Sequence, residues 1–189
     1  LRAALDLLCG ARVCHRVPCT AARGVPLGAE VRSRVFKCLF LDVGLSSTSL
    51  GLDLLDAADA GGIGDLHRGG TAEQAVGQLL RLHFPPNAAP ESFFWRRDRR
   101  GAEAEVDFVI ARGSRVLPVE VKAGAAGSLR SLHAFVAERG LDLAVRVQDA
   151  PPEIREVRTA GPGQERRFRL LSVPPYLVEE IPRLVEALR

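Results

Sequence analysis

The stretch EVDFVIARGSRVLPVEVK, Glu105 to Lys122, reads as a β-hairpin, two apolar-alternating runs joined around Gly113. It holds one of only two lysines, Lys37 and Lys122, in a chain that otherwise draws its basic charge from 24 arginines. The two residue types are not equivalent. Arginine offers a planar fork and lysine a compact ammonium on a flexible stem, so a point charge among carboxylates favours lysine. With the turn at Arg112-Gly113, or spread over Ala111 to Ser114, Glu105 pairs with Glu120 and Asp107 lies opposite Pro118. Strand alternation then sets Glu105, Asp107, Glu120 and Lys122 on one face. Val106, Phe108, Ile110, Val119 and Val121 form the other, which is the expected core. Asp107 and Glu120 become diagonal neighbours about 7–8 Å apart. Pro118 cannot donate to a ladder and hints at a bulge.

Three carboxylates on one face repel one another and raise each other's pKa. A divalent cation relieves that repulsion, and hard oxygen ligands select Mg²⁺ or Mn²⁺. Lys122 beside such an ion could orient or help deprotonate a water, and stabilise charge on a phosphoryl oxygen. The plainer alternative is a solvated sheet face with ordinary ion pairs.

The 189 residues are 47% hydrophobic and 26% charged, which fits a soluble globular protein and argues against disorder. No apolar run approaches the roughly 18–20 residues of a membrane span and nothing resembles a signal peptide, so a cytoplasmic location is the expectation. The absence of methionine, including an initiator, predicts a fragment of a longer polypeptide. A net charge of +3 is too small to identify a partner. Cys9, Cys14, Cys19 and Cys38, with His15, lack the close pairs of a zinc site. Their spacing through a helix and then a strand is expected to carry the thiols apart. No G-x-x-x-x-G-K-[ST] phosphate loop occurs, since Lys37 follows Phe36 and Lys122 follows Val121.

Along the chain, an amphipathic helix to Gly10 precedes two strand-like runs, the second being VFKCLFLDVGL closing at Gly44. A short helix and a Gly-rich linker follow, with a boundary near Asp65. Residues 1–64 are thus expected to form a winged-helix-like segment and linker. In TAEQAVGQLLRLHF, Thr71 and Gln74 form a capping-box pattern at a helix start. Strands FFWRR, EVDFVI and RVLPVEVK come next, then a helix from Ser128 to Gly140 and strands LAVRV and FRLLSV around a polar loop, Pro151 to Gln164. A C-terminal helix carries Leu177, Ile181, Leu184 and Leu188. The order α-β-β-β-α-β over residues 65–189 makes this an α/β protein.

That order, with D-x₁₂-E-V-K and a glutamate on the preceding helix, resembles the PD-(D/E)XK nuclease superfamily. KCLFLDVGL, TAEQAVGQLL, FFWRRDRRGAEAEVDFVI and VLPVEVKAGAAGSLRSL, covering nearly the whole chain, resemble domain-of-unknown-function family 4143, the C-terminal domain after a P-loop ATPase module in many prokaryotic proteins. The resemblance implies a restriction-endonuclease-like αβββαβ core, a mixed sheet flanked by helices, preceded by a small winged-helix-like segment. It also implies an upstream ATPase that would hold any ATP, and DNA as partner. By position Glu73, Asp107, Glu120 and Lys122 match the nuclease motif, with Val106 where the superfamily name has proline.

Glu73 falls in the expected first turn, where the helix dipole favours a carboxylate by roughly 0.3–1 kcal/mol. It also leans toward Val76 and Leu80, as an inward ligand would. Gly77, one turn on, suggests close packing there. In FFWRRDRRG, Arg96, Arg97, Arg99 and Arg100 suit phosphate neutralisation in a nucleic-acid groove; the alternative is a strand end entering a solvated turn. Two functions are expected from this pattern. One is a metal-dependent phosphodiesterase acting on DNA through Glu73, Asp107, Glu120 and Lys122. The other is a catalytically silent nuclease fold that binds nucleic acid or a protein and regulates the ATPase, with Trp95 as candidate anchor.

Overall fold

The computed structural model describes residues 2–51, 65–123, 128–159 and 165–188, without the side chains of 65–68. Among these residues the chain forms one mixed eight-stranded sheet and five α-helices. Helix α1 (Arg2–Gly10) leads into a hairpin of β1 (Cys14–Thr20) and β2 (Val31–Phe40), followed by α2 (Val43–Ser49). Helix α3 (Asp65–Arg81) precedes the antiparallel meander β3 (Ser92–Arg97), β4 (Ala104–Arg112) and β5 (Arg115–Lys122). Helix α4 (Arg130–Arg139) then crosses to β6 (Leu143–Gln148), which pairs in parallel with β5. Strands β7 (Glu153–Arg158) and β8 (Arg167–Val173) complete the sheet, and a 3₁₀ turn (Pro175–Glu180) leads into α5 (Ile181–Glu186). The strand order is β2-β1-β3-β4-β5-β6-β8-β7.

Both faces of the sheet are covered. Val76 and Leu80 of α3, with Val178, Ile181 and Val185, pack on Phe108, Ile110, Leu117, Val119 and Val145. Leu132, Phe135 and Val136 of α4 pack on the opposite face with Trp95, Val106, Val109, Ala144 and Phe168. Such two-sided burial explains why β5, β6 and β8 read as near-continuous apolar runs. Helix α4 ends as expected at Gly140, whose φ of +68° is the left-handed C-cap that glycine accommodates best.

Several expectations are corrected. Strand β2 ends at Phe40 rather than Gly44, because the Asp42 carboxylate accepts the Leu45 N–H and starts α2. Thr71 lies within α3, not at its start, so there is no capping box. The Gln74 amide instead accepts from Phe40 N–H and donates to Phe40 C=O, both at 3.0 Å, tying the helix to the end of β2. The polar loop after β6 contains β7, six residues antiparallel to β8, followed by residues 160–164, which lie outside the described ones. The Gly-rich linker lies mostly in residues 52–64, also outside them. The hairpin in front of that linker is continuous with the main sheet, β1 joining β3 in parallel through Cys19 and Phe94.

The hairpin turn is Gly113-Ser114, with Arg112 opposite Arg115 and glycine at φ +58°, as in a type II′ turn. The register is therefore two residues from the expected one, with Phe108 opposite Val119 and Pro118 opposite Val109. Pro118 enters without a register shift. The irregularity lies on the other side of β4, where Trp95 faces Val106 but Phe93 faces Val109. This extra residue around Asp107 and Phe108 is a bulge. It sends Val106 to the α4 side while Phe108 and Ile110 join Val119 and Val121 on the α3 side.

Gly77 sets how close α3 comes to the sheet. A Cβ there would meet Leu39 Cδ1 at 2.4 Å and Phe108 Cζ at 2.8 Å, whereas Gly70 in the same helix has nothing within 4 Å. Gly77→Ala should therefore destabilise the fold by about 1–3 kcal/mol through overpacking, despite alanine's better helix propensity. Gly70→Ala should stabilise it by roughly 0.5–1 kcal/mol. Denaturant unfolding of both variants checks the contrast, and equal effects would contradict the packing.

Candidate functional site

Beyond Phe108 and Val119 the hairpin opens into a fork. Residues Ala104 to Val106 of β4 pair with β3, and Glu120 to Lys122 of β5 pair with β6. Asp107 sits in the opening, where its Oδ2 accepts the Val121 N–H at 2.8 Å. A side-chain carboxylate thus satisfies an amide that the parted ladder leaves without a strand partner. Continuing the register sets Asp107 across from Glu120, rather than diagonal to it as expected.

Glu73 reaches this fork from the third turn of α3, so the helix dipole does not account for its position. The residue that gathers the carboxylates is Lys37 of β2. Its Nζ lies 2.7 Å from Glu73 Oε1, 2.7 Å from Glu105 Oε1 and 3.7 Å from Asp107 Oδ1, and 5.1 Å from the Phe94 ring centroid. Burial acts to lower the Lys37 pKa, but Glu73, Asp107 and Glu105 outweigh it and hold the ammonium above its ordinary value. Burial raises the Glu73 pKa; Lys37 opposes that rise and Asp107 adds to it. Composition alone carried a signal for Lys37, because both lysines of the chain meet at this cluster.

Glu120 and Lys122 form the other half. Lys122 Nζ donates to Glu120 Oε1 at 2.7 Å, while Glu120 Oε2 is buried without a partner. Lys122 borders Thr71, Ala72 and Val76 of α3, and Glu120 feels the charges of Asp107 and Lys37. The expected flat face is broken by the β4 bulge, beside which Asp107 comes within 3.7 Å of Lys37 Nζ. Burial first, and then the Asp107 charge, push the Glu120 pKa up to about 7.

The arginine stretch divides. Arg96 lies opposite Glu105 in the ladder and pairs with Asp98. Arg97 turns to the other face, donating to Ala102 C=O at 2.7 Å and to Glu138 at 3.3 Å, with its guanidinium 5.8 Å from the Trp95 ring. Arg99 and Arg100 are exposed in the β3–β4 connection. Trp95 is only 2% exposed and packs on Phe135 at 4.9 Å, which removes it as an anchor for a partner. The cysteines also differ from expectation. The turn after α1 brings Cys9 and Cys14 Sγ atoms to 3.7 Å.

Among the described residues, no three His, Cys, Asp or Glu side chains stand arranged to hold a metal ion. At the fork the Lys37 ammonium occupies the middle of the carboxylates. The donors nevertheless suit a hard divalent cation. Glu73, Glu105, Asp107 and Glu120, when ionised, carry −4 against +2 from Lys37 and Lys122, and Glu120 Oε2 has a free lone-pair direction in the interior. Chemistry and charge fit; the place is held by Lys37.

Residues 68–154, just under half of the chain, match the family described as a domain of unknown function (DUF4143). The match takes in Glu73, Asp107, Glu120 and Lys122 but not Lys37. No curated protein and no solved structure matches the chain. No helix among the described residues is long and apolar enough to cross a membrane.

The Glu120 environment has a pH signature. Its folded pKa of about 7 exceeds the ordinary 4.5, so the folded state keeps a proton that the unfolded chain has lost. Stability from this group falls as pH rises between those values, and the full penalty applies above the upper one. Glu120→Gln should stabilise the metal-free protein by on the order of 2–3 kcal/mol near pH 8 and by almost nothing near pH 4.5. Urea unfolding in chelator at both pH values measures this. An equal effect at both would show that burial does not hold the proton on Glu120.

Proposed function

We propose that the chain carries a divalent-cation-dependent phosphodiesterase site of the PD-(D/E)XK type, acting on DNA. The observation that supports it most is the fork. Asp107 lies in the opening of β4 and β5, Glu120 has an unpartnered buried oxygen, and Lys122 is held on Glu120. The run α3-β3-β4-β5-α4-β6, with β5 and β6 parallel, is consistent with a restriction-endonuclease-like core. Glu73, Asp107 and Glu120 would hold Mg²⁺ or Mn²⁺, which supplies Lewis-acid polarisation of a phosphoryl oxygen and a more acidic bound water. Lys122, kept near the carboxylates by Glu120, would help deprotonate the attacking water and stabilise negative charge as it builds on the phosphoryl group. Exposed Arg99 and Arg100, and Arg96 once it leaves its half-exposed partner Asp98, would meet the backbone of a duplex, while Arg97 is engaged with Glu138. In this reading the chain works beside an upstream P-loop ATPase module, which would be the part that binds ATP.

One observation favours a second reading. Lys37 already neutralises Glu73 and Glu105 at 2.7 Å, as in a nuclease fold that has become a silent binding module of the ATPase. Calorimetric Mn²⁺ titration and cleavage of plasmid DNA separate the two. The phosphodiesterase reading expects wild type to bind Mn²⁺ and cut, Asp107→Ala to lose both, and Lys122→Arg to keep binding but lose cleavage, because a guanidinium is bulkier and does not act as a base. Mn²⁺ affinity equal in wild type and Asp107→Ala would sink the site. Cleavage undiminished in Lys122→Arg would make Lys122 an ordinary cation.

The DNA interaction has its own measurement. Replacing Arg96, Arg99 and Arg100 by alanine should lower the slope of log K against log salt by about 0.9 for each phosphate no longer neutralised. The weakening should be similar on unrelated sequences, because arginine–phosphate pairing carries no base information. A triple variant that binds duplex DNA as wild type does at two salt concentrations would take this loop off the binding surface.

A further inference from the structure

Lys37 belongs to β2, at the edge of the sheet, with β1 and β3 between it and β4. Its ammonium lies 5.1 Å from the Phe94 ring centroid, touches Glu73 of α3 and Glu105 of β4, and is within 4 Å of Asp107. The side chain is 18% exposed, so the charge is largely removed from water and depends on these carboxylates for compensation. Arg96 lies opposite Glu105 but pairs with Asp98, and Lys122 is taken up by Glu120. Lys37 is therefore the cation that relieves repulsion between Glu73, Glu105 and Asp107. Glu120 Oε2 stays buried without a hydrogen-bond partner, although the charges of Lys37 and Lys122 both act on that carboxylate. Beside Lys37 lies a cavity of about 420 Å³ bounded by Ser46, Leu50, Thr71, Glu73 and Gln74, which gives the ammonium somewhere to go.

We infer that Lys37 is an intramolecular counter-ion that competes with a divalent cation for Glu73 and Asp107, so that occupation of the site requires its ammonium to withdraw toward this cavity. The inference rests on reading the fork as a metal site and adds a device to it. The N-terminal hairpin, outside residues 68–154, sets how tightly the carboxylates take up metal. A bare ammonium suits this role because it binds as a point charge and can exchange partners, whereas a guanidinium would lock bidentate onto one carboxylate.

The test compares Mn²⁺ binding by calorimetry in wild type, Lys37→Gln and Lys37→Arg, and follows amine acylation of wild type by mass spectrometry. Two lysines in the whole chain make the acylation readout clean. Lys37→Gln should bind Mn²⁺ at least about tenfold more tightly, because a positive charge close to the metal position has been removed. It should also melt lower than wild type in chelator and recover with Mn²⁺. Lys37→Arg, which keeps the charge should the neutral variant not fold, should bind no more tightly than wild type. In wild type, Lys37 should be acylated several-fold faster once Mn²⁺ is bound. Equal or weaker binding in Lys37→Gln, or Lys37 acylation unchanged by bound Mn²⁺, overturns the competition while leaving the metal site in place. No Mn²⁺ binding in wild type or in Lys37→Gln overturns the metal reading itself, and the competition with it.

Discussion

Four carboxylates drawn together between a helix and the parting ends of two strands repel one another unless positive charge lies among them, and much of this architecture serves that need. Glu73, Glu105 and Asp107 meet on Lys37, and Glu120 meets Lys122. The arrangement is incomplete, because burial and the Asp107 charge still hold the Glu120 pKa near 7 and one of its oxygens lacks a partner. Perturbed pKa values of this kind cluster at functional sites and also arise in purely structural ion-pair networks.

The surrounding elements set the cluster's geometry through packing rather than charge. Gly77 lets α3 approach Phe108 and Leu39, and Gln74 fixes the helix to Phe40 of β2 through two backbone hydrogen bonds. Those interactions place Glu73, one residue before Gln74, over the fork. They also fix β2, and therefore Lys37, against the same helix. The β4 bulge contributes the remaining element by turning Asp107 toward α3 while Val106 stays on the α4 side. A flat, regular hairpin would have left the carboxylates in a row along one solvated face. The parted strands instead gather charged side chains from four elements.

Much of this was legible in the amino-acid order because it depends on local periodicity. The apolar alternation of β3, β4 and β5, the α4 segment with Gly140 at its end, and the αβββαβ succession are short-range properties. Strand alternation likewise picked out Asp107, Glu120 and Lys122, while their grouping with Glu73 followed from the resemblance to the nuclease motif. Strand β7 was not, because EIREVR carries few apolar residues and its pairing with β8 decides its state. Trp95 read as a surface anchor because it stands among arginines, and only Phe135 from a helix about forty residues on shows it to be interior. The capping role given to Thr71 failed because α3 begins six residues earlier.

The sequence by itself determined most of the elements, the apolar alternation of the hairpin strands and the presence of acidic residues with a rare lysine on one hairpin. Tertiary structure alone decided which charges meet. Register turned on a two-residue turn at Gly113-Ser114, and the bulge on how β4 fits β3, each a choice between nearly equivalent local conformations settled by packing. Lys37 lies 36 residues from Glu73 and 70 from Asp107, and no periodicity links positions so distant. Their meeting follows from the sheet order β2-β1-β3-β4 and from α3 packing across it, because a salt bridge forms wherever the fold brings opposite charges within reach.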